Sequence, residues 1–123
     1  MTLGEQQCDF TFMVARLIMQ AHAFGYECKV QEWNRLLVTQ QEYVAKGVSW
    51  TLKSKHLDNL AVDLYLYKNG QVVLGGEDYR ALGGYWESLG GRWGGRFGLE
   101  NQPKAVQDAK LGKDVVHFEA RPV

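Results

Sequence analysis

Between Leu60 and Tyr67 the side chains alternate in character. Val62, Leu64 and Leu66 fall on one side, and Ala61, Asp63, Tyr65 and Tyr67 on the other. A period of two marks a strand with one face in a core. Asn69-Gly70 follows, a pair that accepts the positive φ values of a type I′ turn, so Val72 to Leu74 is expected to return as the second arm of a hairpin. The hairpin calls for an antiparallel sheet with an apolar cover on one side. It also carries a carboxylate, Asp63, on a rigid element, where a side chain is held accurately.

The cover is expected close by. From Asp9 to Gly25 the residues Phe10, Met13, Val14, Leu17, Ile18, Ala21 and Phe24 recur at helical spacing, with Asp9 as N-cap and Gly25 as the stop. His22 lies on the flank of this helix and reads as a surface residue. Tyr26 to Trp33 alternates as a short strand. Thr39-Gln40-Gln41-Glu42 is a capping box that opens a helix carrying Tyr43 and Val44 and ended by Gly47. Arg35 sits on the segment that joins strand to helix, and its position alone reads as a solvated arginine.

Beyond the hairpin, Glu77-Asp78 opens a further helix with Tyr79, Leu82, Trp86 and Leu89 on one side. Gly83-Gly84 weakens it by about 1 kcal/mol per glycine relative to alanine. Leu89 to Gly98 reads as a glycine-rich loop around Trp93 whose backbone packs closely against something. It is either a surface loop anchored by the tryptophan or a wall of a substrate groove. The GxxxxGK[ST] order of a phosphate loop is absent. Residues 99–113 are polar and read as irregular or briefly helical, and Val115 to Ala120 as a final strand. With no repeat and no shift of composition, residues 1–123 are expected to form one domain of α+β class, its helices segregated from a mainly antiparallel sheet.

Composition narrows the partners. In this 123-residue chain 46% of residues are hydrophobic and 23% charged, values of an ordinary globular domain. Fourteen basic and fourteen acidic side chains are interleaved without a basic stripe, which argues against nucleic acid. No apolar run approaches the ~20 residues that span a bilayer, so membrane insertion is not expected. The stretch from Phe10 to Phe24 lacks a basic n-region and is interrupted by Arg16, Gln20 and His22, so it does not read as an export signal. A cytoplasmic monomer is the expectation. Cys8 and Cys28 form no CxxC pair and read as reduced thiols.

Four residues suggest chemistry. His56 and Asp63 stand seven apart, and Asp114 and His117 close the chain in Asp-Val-Val-His-Phe-Glu. Two imidazoles and a carboxylate are the ligand inventory of a catalytic zinc site, which keeps its fourth position open. With His56, Asp63 and His117 as ligands, Asp114 is free to act as the general base of a hydrolase. Glu119 would then orient a ligand imidazole. One geometric condition applies: a regular strand puts Asp114 and His117 on opposite faces, so the strand must begin after Asp114 or bend there. His117 and Glu119, two apart, share a face without adjustment. Spacing alone leaves zinc ligation and ordinary surface carboxylates and histidines both open, and the HExxH signature is absent.

At these residues the chain resembles the VanY/VanX-type zinc peptidases of peptidoglycan stem peptides. Their pattern of Ser-x-His, six residues, Asp, then Glu-or-Asp-x-x-His stands here as Ser54, His56, Asp63, Asp114 and His117. The continuation His117-Phe118-Glu119 is similar to that of the small phage endolysins, the L-alanyl-D-glutamate peptidases. Arg35, with Tyr43 and Gly47 after it, and the Trp-Gly-Gly-x-Phe segment of Trp93 to Phe97 add to the likeness, which spans about residues 33–121. Leu36 and Asn59-Leu60 depart from the family pattern. The resemblance implies a hedgehog/DD-peptidase-like α+β fold. It implies Zn2+ held by His56, Asp63 and His117, Asp114 as base, and Arg35 on the substrate carbonyl or a carboxylate. Ser54, Trp93 and Glu119 would support substrate or metal. The implied activity is hydrolysis of the L-alanyl-D-glutamate bond by a phage-type lysin that reaches the wall through a holin. The alternatives are a D-alanyl-D-alanine carboxypeptidase and a non-catalytic wall-binding module.

Overall fold

The computed structural model describes residues 1–33, 45–46 and 60–121. Helix α1 spans Leu3–Ala23. It starts six residues before the expected Asp9, because Thr2 and Glu5 form a reciprocal capping box: each side chain bonds the other's backbone N–H at 3.1 Å. Phe10, Val14, Leu17 and Ala21 are its buried face. Gly25, at φ 94°, lets the chain leave the helix as expected.

Among the described residues, five strands form one antiparallel sheet: β1 (Glu27–Glu32), β2 (Ala61–Lys68), β3 (Gln71–Val72), β4 (Gly91–Trp93) and β5 (His117–Ala120), in the order β1-β2-β5-β4 with β3 also paired to β2. The hairpin turns at Asn69 (φ 53°) and Gly70 (φ 77°), the left-handed pair that the Asn-Gly signal demands. Its return arm is shorter than expected, and Leu74 lies outside it, 85% exposed.

Beyond the hairpin the described residues form α2 (Arg80–Ser88), entered through a 3-10 turn at Gly76–Tyr79, and α3 (Lys104–Ala109). Helices α1 and α2 share the apolar side of the sheet, where Val62, Leu64, Leu66 and Phe118 are buried against Phe10, Val14, Leu17, Leu82 and Trp86. Trp86 meets Phe10 and Phe118 edge-on, at 5.6 and 5.9 Å between centroids. Its indole N–H donates to the Glu119 carbonyl at 2.9 Å, tying α2 to β5. No described helix is long and apolar enough to cross a membrane.

The glycine-rich stretch differs from the loop reading. Residues Gly91–Trp93 are a strand, and Gly94–Arg96 a 3-10 turn. Close packing of its backbone is what the glycines serve. A Cβ on Gly83 of α2 would lie 2.1 Å from the Trp93 ring, so this helix position requires glycine for contact and not for flexibility.

The helix opened by Thr39, together with Arg35, Ser54 and His56, lies outside the described residues.

Candidate metal centre

The face of the sheet turned away from α1 and α2 carries the polar residues. Asp63 of β2 and His117 of β5 are direct cross-strand partners, as are Ala61 and Glu119. Antiparallel pairing in this register therefore sets the Asp63 carboxylate beside the His117 ring, with Oδ1 3.1 Å from Nδ1. The geometric condition on Asp114 is met by where the strand begins. Strand β5 starts at His117, and the residues before it form a turn closed by the His117 N–H donating to the Asp114 carbonyl at 3.1 Å. Asp114 thereby swings onto the His117 side, its Oδ2 3.9 Å from Nδ1.

The glycine stretch holds that turn. The Asp114 N–H donates to the Gly94 carbonyl and the Lys113 N–H to the Phe97 carbonyl, both at 3.1 Å. A Cβ on Gly94 would stand 2.0 Å from the Asp114 carbonyl oxygen and 2.9 Å from the His117 Cβ. Only glycine allows this approach. From the other side of the sheet, the Trp93 indole N–H donates to the Val115 carbonyl at 2.8 Å.

One ligand atom from each of Asp63, Asp114 and His117 lies within 4.8 Å of the others. The donor set fits a small divalent cation. Bonds of about 2.0–2.2 Å at tetrahedral angles put two ligand atoms roughly 3.3–3.6 Å apart, and the Asp63–His117 pair stands close to that, at 3.1 Å. Exposure grades across the group, from 9% at the His117 side chain through 18% at Asp63 to 38% at Asp114. Solvent therefore reaches the group from the Asp114 side.

Behind the imidazole, Glu119 is buried and its Oε1 lies 2.7 Å from His117 Nε2. The ring is thus aimed by both nitrogens, Nε2 at Glu119 and Nδ1 at the two aspartates. Burial pushes the His117 pKa down, but its hydrogen bonds to Asp63 and Glu119 and the charges of Asp63 and Asp114 outweigh burial and raise it to about 9. Glu119 is pushed up by burial, yet its bond to His117 and the charges of His117 and Arg92 hold it below the usual carboxylate range. Such a field favours a cation between the aspartates and His117. A metal held there by Asp63 and His117 would take the place of a proton on Nδ1, while Nε2–H would keep its carboxylate partner.

Of the residues expected from sequence, Asp63, Asp114, His117 and Glu119 converge. Trp93 does not join them. It pairs with Phe118 on the helix-facing side of the sheet and is fully buried, so it supports the Asp114 turn from below and forms no wall of a groove. Sequence reading missed Arg92, opposite Glu119 in the β4–β5 register, whose Nη1 donates to Glu119 Oε2 at 3.3 Å. Had Gly91-Arg92-Trp93 been read as a strand, its alternation would have put Arg92 on the polar face.

No protein-family model matches the sequence, and no curated protein does. Solved structures do match. The L-Ala D-Glu endopeptidase ChiX of Serratia marcescens superposes with a TM-score of 0.66 at 25% identity, over 87% of this chain and 77% of that one. The vancomycin-resistance D,D-pentapeptidase VanY of a VanB-type cassette, a mutant in complex with Zn(II), gives 0.58 at 22% identity, over 90% and 70%. VanYB in complex with D-alanine-D-alanine gives 0.58 at 20%, over 90% and 68%. The chain therefore has the α+β fold of the ChiX and VanY peptidases, the group that its Asp63 and Asp114-x-x-His117 motifs resemble.

Proposed function

We propose that this protein is a zinc metallopeptidase that hydrolyses an amide bond of peptidoglycan stem peptides, in the first place the L-alanyl-D-glutamate bond. The observation that carries the reading is the convergence of Asp63, Asp114 and His117, with Glu119 behind the imidazole, in a fold shared with ChiX. Asp63 and His117 would hold the metal, with His56 as the third ligand. The N/O donor set suits zinc. Bound there, zinc supplies Lewis acidity, which polarises a carbonyl and makes water acidic.

The chain's own groups divide the remaining work. Asp114, the most exposed of the three, accepts the proton of the attacking water and returns it to the leaving amine. Its distance of 3.9 Å from Nδ1 suits a group beside the metal more than one bound to it. Glu119 keeps Nε2 protonated and Nδ1 free for the metal. Arg35 would stabilise the developing carbonyl charge or bind a substrate carboxylate. A phage-type lysin of this kind would act on the wall after release from the cytoplasm.

The likeness to the D,D-peptidase VanYB, bound to D-alanine-D-alanine, favours a second reading, a D-alanyl-D-alanine carboxypeptidase. Incubation with defined muropeptides, with and without a chelator, followed by mass spectrometry separates them. Chelator-sensitive release at L-Ala-D-Glu is the expected result. Loss of a terminal D-alanine would establish the carboxypeptidase. Intact muropeptides with folded, zinc-replete protein would overturn both in favour of a wall-binding module.

A further inference from the structure

We propose that Arg92 is a positioning residue of the metal centre, acting through Glu119 to hold the His117 imidazole with Nδ1 toward Asp63 and Asp114. The inference rests on the metallopeptidase reading and adds a residue that the resembling motifs do not contain.

A carboxylate buried as Glu119 is needs a partner for each oxygen. Oε1 has His117 Nε2 at 2.7 Å, and Oε2 has Arg92 Nη1 at 3.3 Å. One oxygen aims the imidazole and the other is anchored, so the carboxylate plane is set from both ends. Arg92 is itself held on two further sides. Its Nε donates to Glu100 Oε2 at 2.8 Å and its Nη2 to Glu100 Oε1, which completes a fork-to-fork pair. Its guanidinium lies over the Phe97 ring, 4.5 Å from the centroid, and that ring is 5.4 Å from the His117 ring.

A planar guanidinium can serve Glu100 with one edge, Phe97 with its face and Glu119 with its remaining nitrogen. A lysine ammonium, a point charge on a flexible stem, cannot do all three. The order Glu100–Arg92–Glu119–His117 thus runs from the surface to the metal-facing nitrogen. Without Arg92, the Glu119 carboxylate loses the partner on Oε2 and with it the orientation that Oε1 gives the ring. Changes to groups that orient a ligand histidine typically weaken metal binding about 10–100-fold.

The test is zinc affinity by chelator competition, together with the visible spectrum of the Co(II)-loaded protein. The proteins compared are wild type, Arg92→Met, Arg92→Lys, Glu119→Gln and the Arg92→Met/Glu119→Gln double variant. Arg92→Met is expected to weaken zinc about 10–100-fold and shift the cobalt spectrum, with Arg92→Lys recovering part of both. The double variant should bind no worse than the weaker single variant, because both changes act through one carboxylate. A purely structural role would lower thermal stability and leave the cobalt spectrum in place. Wild-type affinity in Arg92→Met, or losses that multiply in the double variant, would overturn the role of Arg92. Should Arg92→Met not fold, Arg92→Lys in the wild-type and Glu119→Gln backgrounds gives the same contrast. Failure of the wild type to bind zinc overturns the metallopeptidase reading itself, and Arg92 with it.

Discussion

Strands β2 and β5 present two faces governed by different requirements. On one, Val62, Leu64, Leu66 and Phe118 are buried against two helices, and shape and volume are what matter. On the other, one residue away in every case, Asp63, His117 and Glu119 crowd four carboxylate oxygens and two ring nitrogens together beside Asp114. The apolar face stabilises the fold, each large side chain contributing about 1.5–3 kcal/mol on burial. The polar face does the opposite unless a proton or a metal balances its charge. The two are not independent, because the strands that bury Phe118 are the ones that set His117 against Asp63. A stiff core is what keeps the charged groups at ligating distance.

This contrast can be broken from either side. The largest effect is expected for His117→Ala, which removes a proposed metal ligand and leaves the carboxylates of Asp63, Asp114 and Glu119 without the imidazole between them. Metal binding by chelator competition and muropeptide turnover should both be lost, and turnover at the wild-type rate would exclude His117 as a ligand. Asp114→Asn should keep the metal and the melting temperature while turnover falls about 10²–10⁴-fold, the usual contribution of a general base. Full activity in this variant removes Asp114 from that role.

Phe118→Ala probes the other face between the same two polar neighbours. A loss of about 3–5 kcal/mol in denaturant unfolding is expected, with activity per folded molecule little changed. A selective loss of activity without destabilisation would show that the two faces cannot be separated in this way. Thr2→Ala, at the capping box and on neither face, should cost about 1 kcal/mol and leave metal affinity alone. A larger penalty would mean that α1 depends on its first turn more than on Phe10, Val14, Leu17 and Ala21.

Some of this was readable in the chain itself, and for a local reason. The alternation through Leu60 to Tyr67 and the Asn69-Gly70 pair depend on adjacent residues only, and both appear as expected. The helical stripe of α1 was equally plain, but its start was missed because Thr2-Leu3-Gly4-Glu5, a capping box, precedes the apolar periodicity instead of adjoining it. Asp63, Asp114, His117 and Glu119 could be picked out as residue types at suggestive spacings. Their convergence could not be read in this way, since it depends on strand register and on a strand that starts at His117.

Local pattern therefore determined the hairpin, the α1 stripe, the antiparallel α+β class and the residue types available for a metal. Tertiary structure decided what those types do. It placed Trp93 in the core against Gly83, because in β4 it faces the helices with Phe118. It brought the Gly94 carbonyl against the Asp114 turn, and it set Arg92 on the far oxygen of Glu119. These contacts join residues 10 to 27 positions apart. Their cause is the register of three strands, which no short window of sequence contains.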